Sequence, residues 1–101
     1  MSGAPLDRRE RIDRHRARAW ALQVHYRWET AGREGGTLQD ALVATQRTRR
    51  ISPRRLPFVR RLVRGLDEHL DEIDRALESH LENWRLDRLS SLDRGILRLA
   101  A

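Results

Sequence analysis

Cysteine and lysine are absent from this 101-residue chain, and phenylalanine, tyrosine and methionine occur once each. Without cysteine there are no disulfides and no thiolate metal sites, and a reducing compartment suits the chain. The cytoplasm is therefore the expected location. Long apolar runs are also missing: the longest stretch without an acidic or arginine side chain is Ala19 to Tyr26, far short of the roughly 20 apolar residues of a membrane span. No membrane partner is expected. The first fourteen residues are polar and charged and lack the apolar segment of a secretory signal. Glycine is sparse and nowhere forms a phosphate-binding loop, so Gly35-Gly36 reads as a turn. No strand pattern and no internal repeat is present, and the length allows one small domain.

What is abundant is arginine. All 21 basic residues are Arg, a bias that a genome rich in G and C also produces. Their distribution says more than their number. Residues 1–64 carry a net charge of +10, whereas residues 65–101 carry −4. Such a split within one small domain points to an electropositive surface for a polyanion, nucleic acid first among the candidates, and a separate acidic surface.

Periodicity places the elements. Residues 1–11 read as a flexible basic arm. From Ile12 to Trp28 the apolar residues return at helical spacing: Ala17, Trp20, Ala21, Val24 and Trp28 share one face, and Ala19, Leu22 and Tyr26 form a second strip. Polar edges run between the strips, one with Arg14, Arg18 and His25, the other with Arg16, Gln23 and Arg27. A break over 32–36 follows, and Thr37 with Asp40 forms a capping-box pattern opening a short helix from Leu38 to Thr48. Ser52-Pro53 starts a long periodic run from Leu56 through Leu66, Leu70, Ile73, Leu77 and Leu81 to Trp84, which is either one helix or two. Gly65 inside it points to close packing or a mild bend. Ser90 with Asp93 opens a last helix with Leu92, Ile96, Leu97, Leu99 and Ala100 on its apolar face, and no Gly, Asn or Pro ends it. The fold class is all-α, a small bundle of four to five helices.

Catalytic chemistry finds little support. The four histidines, His15, His25, His69 and His80, form no pair at three or four residues' spacing, and a two-ligand metal site at His69 and His80 is weaker than the reading of both as surface residues. The acidic run from Asp67 to Glu78 reads as a solvated helix face. No metal, cofactor or catalytic residue is assigned. The strongest signal is the cluster Arg8, Arg9, Arg11, Arg14, Arg16 and Arg18, because guanidinium forks grip phosphate bidentately and stack on bases. Aromatic residues follow in the same helix, and unstacked bases of single-stranded RNA stack on such rings. Trp20 and Trp28 share the core face, whereas Tyr26 suits either core or RNA contact.

Three stretches together carry a family resemblance: RHRARAWALQVHYRWE over residues 14–29, LVRGLDEH over 62–69 with Ile73-Asp74, and WRLDRLSSLDRGILRLA over 84–100. In order and spacing they resemble the NusB family of antitermination factors. The resemblance implies an all-helical fold of two subdomains, a first part over about residues 12–82 and the start of a second over about 83–101. It implies no enzymatic activity. The expected partners are single-stranded RNA of the boxA type, the small-subunit ribosomal protein NusE and the transcription elongation complex, and some NusB-like proteins form homodimers. Carried over by position, the RNA-binding residues are Arg14, His15, Arg16 and Arg18, with Tyr26 close by and Asp93, Arg94 and Arg98 on the last helix. His15 stands where the family has Arg or Lys. The family continues past Leu99-Ala100 into a Tyr-Glu-Leu turn and further helices, where this chain has Ala101, so the bundle is expected to be C-terminally incomplete, marginally stable and prone to self-association.

Two other classes compete with this reading. One is the NusB-like RNA-recruiting domain of a ribosomal RNA cytosine methyltransferase, whose catalytic part needs a glycine-rich cofactor turn and a catalytic cysteine. The other is a structural helical adaptor whose arginines pair with an acidic protein. A steep salt dependence of RNA binding separates both RNA readings from the adaptor.

Overall fold

A computed structural model describes residues 7–32, 36–80 and 88–100. These form four helices, α1 (Arg8–Ala31), α2 (Leu38–Thr48), α3 (Leu56–His80) and α4 (Ser91–Ala100), with no strand among the described residues. The expected all-α bundle is what forms.

Local sequence sets each helix start. The Asp7 carboxylate accepts from the Glu10 amide at 2.8 Å, so α1 begins at Arg8, four residues before the expected start, and residues 8–11 are helix rather than arm. The rest of the proposed arm lies outside the described residues. Gly32, at φ +71°, ends α1 in a conformation that favours glycine. The capping box of α2 is complete, with Thr37 and Asp40 exchanging side-chain to backbone bonds. Asp67 of α3 adds to it from across the fold by accepting from the Leu38 and Gln39 amides at 3.1 and 3.0 Å. All three leading amides of α2 thus have an acceptor, two of them supplied by tertiary structure. The Ser52 carbonyl accepts from Arg55 and Leu56 and leads the chain into α3, and the Ser90 hydroxyl accepts from Asp93 to open α4.

The core is a seam of small and branched side chains. Ala17 and Val24 of α1, Leu38, Ala41 and Leu42 of α2, Ile51, and Val59, Val63 and Leu66 of α3 are buried together, and Trp20, Trp28, Phe58, Ile73 and Leu99 pack around them. Both tryptophans therefore belong to the core side of α1, as their shared face implied. The long run is helical from Leu56 to His80 but kinked at His69, whose non-helical angles (φ −120°, ψ 16°) separate two helical segments. Gly65 has no neighbour within 4 Å of a would-be side chain, so neither close packing nor the bend resides there. Leu81, Trp84 and the boundary expected near residue 82 lie outside the described residues.

α4 packs on α1 and α3. Gly95 makes that approach feasible: an added methyl would stand 2.7 Å from Leu22 Cδ1 and 2.8 Å from His25 Nδ1. This docking covers the C-terminal half of α1. It explains why His25, read from sequence as part of a polar edge with Arg14 and Arg18, is fully buried instead. Leu99 reaches the core and Leu97 is half-buried, while Leu92 and Ile96 remain 49% exposed, so only part of the apolar face of α4 is covered.

The two helical glycines should therefore respond oppositely to alanine. In chemical denaturation, Gly65→Ala is expected to gain up to about 1 kcal/mol through helix propensity. Gly95→Ala is expected to lose about 1–3 kcal/mol, because overpacking against the buried His25 ring outweighs the same propensity gain. Equal effects at the two positions would contradict the close approach of α4 to α1.

Candidate functional site

The arginine cluster occupies the first three turns of α1. Arg8, Arg9, Arg11, Arg14, His15, Arg16 and Arg18 are all exposed. At about 100° per residue, Arg11, Arg14 and Arg18 lie on one side of the helix, whereas Arg16 points nearly opposite. His15 and Tyr26 share a third bearing, three turns apart. The expected site is thus a belt around the start of α1 rather than one face. Tyr26 is 52% exposed and lines an open groove of about 400 Å³ with Leu22, Arg27, Arg49 and Leu92, which removes it from the core.

Electrostatics leave this belt strongly positive. Of the two acids in its midst, Glu10 is exposed in the first turn, and Asp13 is buried and accepts from Arg55 Nε at 3.1 Å and Arg54 Nη2 at 3.3 Å. Arg14, His15, Arg16 and Arg18 have no ion pair or hydrogen bond to the other described residues. Arg14 instead stacks over the Phe58 ring of α3, 5.1 Å from its centroid.

The later candidates have a different occupation. Arg98 is buried, and its fork meets Asp74 of α3 through Nε and Nη2, both at 2.8 Å. Its Nη1 donates to Glu29 Oε1 at 2.7 Å and to His25 Nε2 at 3.0 Å, both on α1. Arg94 chelates the same Glu29 carboxylate, with Nε at 2.9 and 3.0 Å from its oxygens and Nη2 on Oε2. The two arginines therefore face inward and clamp α4 to α1 and α3, apart from the α1 belt, while Asp93 is exposed. This is where the structure parts from the positional expectation: Arg98, held by two carboxylates, and Arg94, held by Glu29 and the Leu89 carbonyl, are engaged within the fold and have little capacity left for phosphate.

Burial, with the neighbouring Arg98 charge, lowers the His25 pKa to about 4. Its Nδ1 has no partner among the described residues. Burial works to raise Glu29, but the hydrogen bond and charge of Arg94, together with the charges of His25 and Arg98, hold its pKa below the usual carboxylate value. The described residues contain no group of three or more acidic or histidine side chains placed to hold a metal ion, and no helix among them is long and apolar enough to cross a membrane.

The model of the NusB family matches residues 15–101. The chain belongs to the NusB family. Among curated relatives, the transcription antitermination protein NusB of Myxococcus xanthus is 41% identical over 87 residues, covering 85% of this chain and 62% of the relative. That of Solibacter usitatus is 43% identical over 89 residues, covering 86% and 59%. That of Treponema pallidum is 41% identical over 91 residues, covering 90% and 64%. The chain thus spans about three fifths of the length of these NusB relatives. No solved structure matches it. The NusB match contains His15, Arg16, Arg18, Tyr26 and the whole clamp on α4, and it begins one residue after Arg14.

The clamp makes stability depend on pH in a definite direction. His25 has a folded pKa of about 4 against an ordinary 6.5, so between those values the unfolded chain takes up a proton that the folded chain refuses. Stability should be level above pH 6.5 and fall as the pH drops toward 4, by on the order of 3 kcal/mol. Glu29, whose folded pKa is lowered, adds a loss in the same direction at still lower pH. Urea titrations across this range read the slope, and His25→Gln should flatten it. A parent chain equally stable at both ends of the range would contradict the burial of His25.

Proposed function

We propose that this chain is a non-catalytic RNA-binding module of transcription antitermination, acting in the cytoplasm on single-stranded RNA of the boxA type. On this reading it works with the ribosomal protein NusE in the transcription elongation complex. The observation that carries it is the exposed arginine belt on α1, whose arginines have no ion pair to the other described residues and outnumber its two acids, Glu10 and the already engaged Asp13. Guanidiniums without internal partners are free to neutralise RNA phosphates, which releases the cations condensed on the RNA and makes binding salt-dependent. The exposed Tyr26 adds a ring on which an unstacked base can sit. Relatives that match most of the chain carry the name transcription antitermination protein. The roles of Arg14, His15, Arg16 and Arg18 as RNA contacts, with Tyr26 beside them, are part of the proposal. Arg94 and Arg98 enter it as the clamp that holds α4 and not as phosphate ligands.

Filter binding with a boxA-like oligonucleotide at two salt concentrations tests this reading. Affinity should fall steeply with salt, with a logarithmic slope of about 0.7 per phosphate contact. Replacing Arg14, Arg16 and Arg18 together by Glu should abolish binding while helicity stays near its starting value, since all three side chains are exposed. A triple variant that binds as well as the parent would show that the site lies elsewhere.

A further inference from the structure

The cleft where α1 meets the start of α3 draws together residues distant in sequence. It is lined by Arg14, Ala17, Arg18, Phe58, Arg61 and Leu62 and has a volume of about 230 Å³. Ala17 on one wall and Val59 and Val63 behind the other are fully buried, so the spacing of the two helices here is fixed by the core. Arg61 lies one turn beyond Phe58 on α3, and Arg18 one turn beyond Arg14 on α1.

Two guanidiniums share one ring. Arg14 stands over Phe58 at 5.1 Å from its centroid and Arg61 at 4.9 Å. Like charges gathered on one aromatic group repel, and in most folds a carboxylate relieves them. None does so here: among the described residues, Arg14, Arg18 and Arg61 have no hydrogen bond and no ion pair. The nearest acid in sequence, Asp13, is turned away to Arg54 and Arg55. The chain pairs its buried and half-buried arginines, Arg55, Arg94 and Arg98, with carboxylates, whereas Arg14, Arg18 and Arg61 of this cleft are exposed and unpaired among the described residues. The cleft is thus a preformed cationic pocket with its ring-bound forks held in place and its anion position open.

We propose that this cleft is a phosphodiester-binding subsite, in which Arg61 and Phe58 of α3 join Arg14 and Arg18 of α1 in gripping the RNA backbone. The subsite rests on the RNA-binding reading given above and extends it to a second helix. Phe58 serves as the platform that keeps both forks extended, which lowers the entropy lost when they close on a phosphate. Arg61 supplies a charge-assisted contact from α3, so the strand crosses from α1 onto α3 instead of following α1 alone. The pocket's size admits a phosphodiester group with part of its sugar.

Phe58 is the single phenylalanine of the chain, so incorporation of fluorophenylalanine places one fluorine reporter in this cleft. Its resonance should shift as a single-stranded boxA-like RNA is added, with the midpoint seen by fluorescence anisotropy of the RNA. Arg61→Gln should weaken binding about tenfold, as expected for one charge-assisted contact, and lower the salt slope by about 0.7. Arg47→Gln, which removes the same charge from exposed α2, should do distinctly less on both readouts. Circular dichroism of each variant controls for folding. If RNA binds while the fluorine signal stays unmoved and the two variants behave alike, the subsite is wrong although RNA binding stands. If the parent chain binds no RNA at all, the reading beneath the subsite fails and the subsite fails with it.

Discussion

One buried cation organises the described bundle. Arg98 joins Asp74 on α3 to Glu29 and His25 on α1, and Arg94 doubles the hold on Glu29. Burying a guanidinium is tolerable only when its donors are met, and here two carboxylates and an imidazole meet them. The consequence is positional. With Gly95 allowing contact at Leu22 and His25, α4 is held over the C-terminal half of α1, and the N-terminal turns, where the arginines lie, stay uncovered. The clamp and the cationic belt are therefore two ends of one helix with opposite duties.

Four of the six acids of residues 1–64 are engaged in building the fold. Asp7 caps α1, Asp40 closes the capping box of α2, Asp13 anchors Arg54 and Arg55, and Glu29 holds α4. Asp67 and Asp74, from the acidic half, reach back to cap α2 and to pair with Arg98. Each carboxylate so used is unavailable to neutralise a surface arginine. Much of the surplus positive charge of residues 1–64 consequently lies exposed on α1 and the start of α3, with more on Arg47, Arg49 and Arg50 at the end of α2. This partition links stability to the proposed RNA-binding surface: the pairs that fasten the helices also decide which guanidiniums remain open to an anion.

Helical spacing and caps were legible in the sequence because both are local. The extent of α2, the Thr37–Asp40 box and the Ser90 cap follow from residues three or four apart. The face of Trp20 and Trp28 was legible for the same reason. What escaped depended on distant partners. His25 reads as polar on a helical wheel and becomes buried only because α4 lies on it. Arg94 and Arg98 sit among apolar residues at a spacing of four, a sign of inward charges, but their acceptors on α1 and α3 are 24 to 73 residues away. Phe58 and Arg61 carried no signal until the packing of α3 brought them against Arg14. Asp7 caps a first turn that no apolar periodicity marks in the sequence, and exposed arginine, a good helix former, carries the helix there.

The central claim is that arginines divide into a structural set and an RNA-facing set. Side-chain Nε–Hε nuclear magnetic resonance of the arginines, recorded with and without single-stranded RNA, reads both sets in one spectrum. The account predicts slowly exchanging signals for Arg94 and Arg98 that RNA leaves in place, beside signals from Arg14, Arg16 and Arg18 that move or sharpen when RNA is added. Rapid exchange at Arg98 in the free chain, or RNA shifts at Arg94 and Arg98 with the α1 signals unchanged, would contradict it.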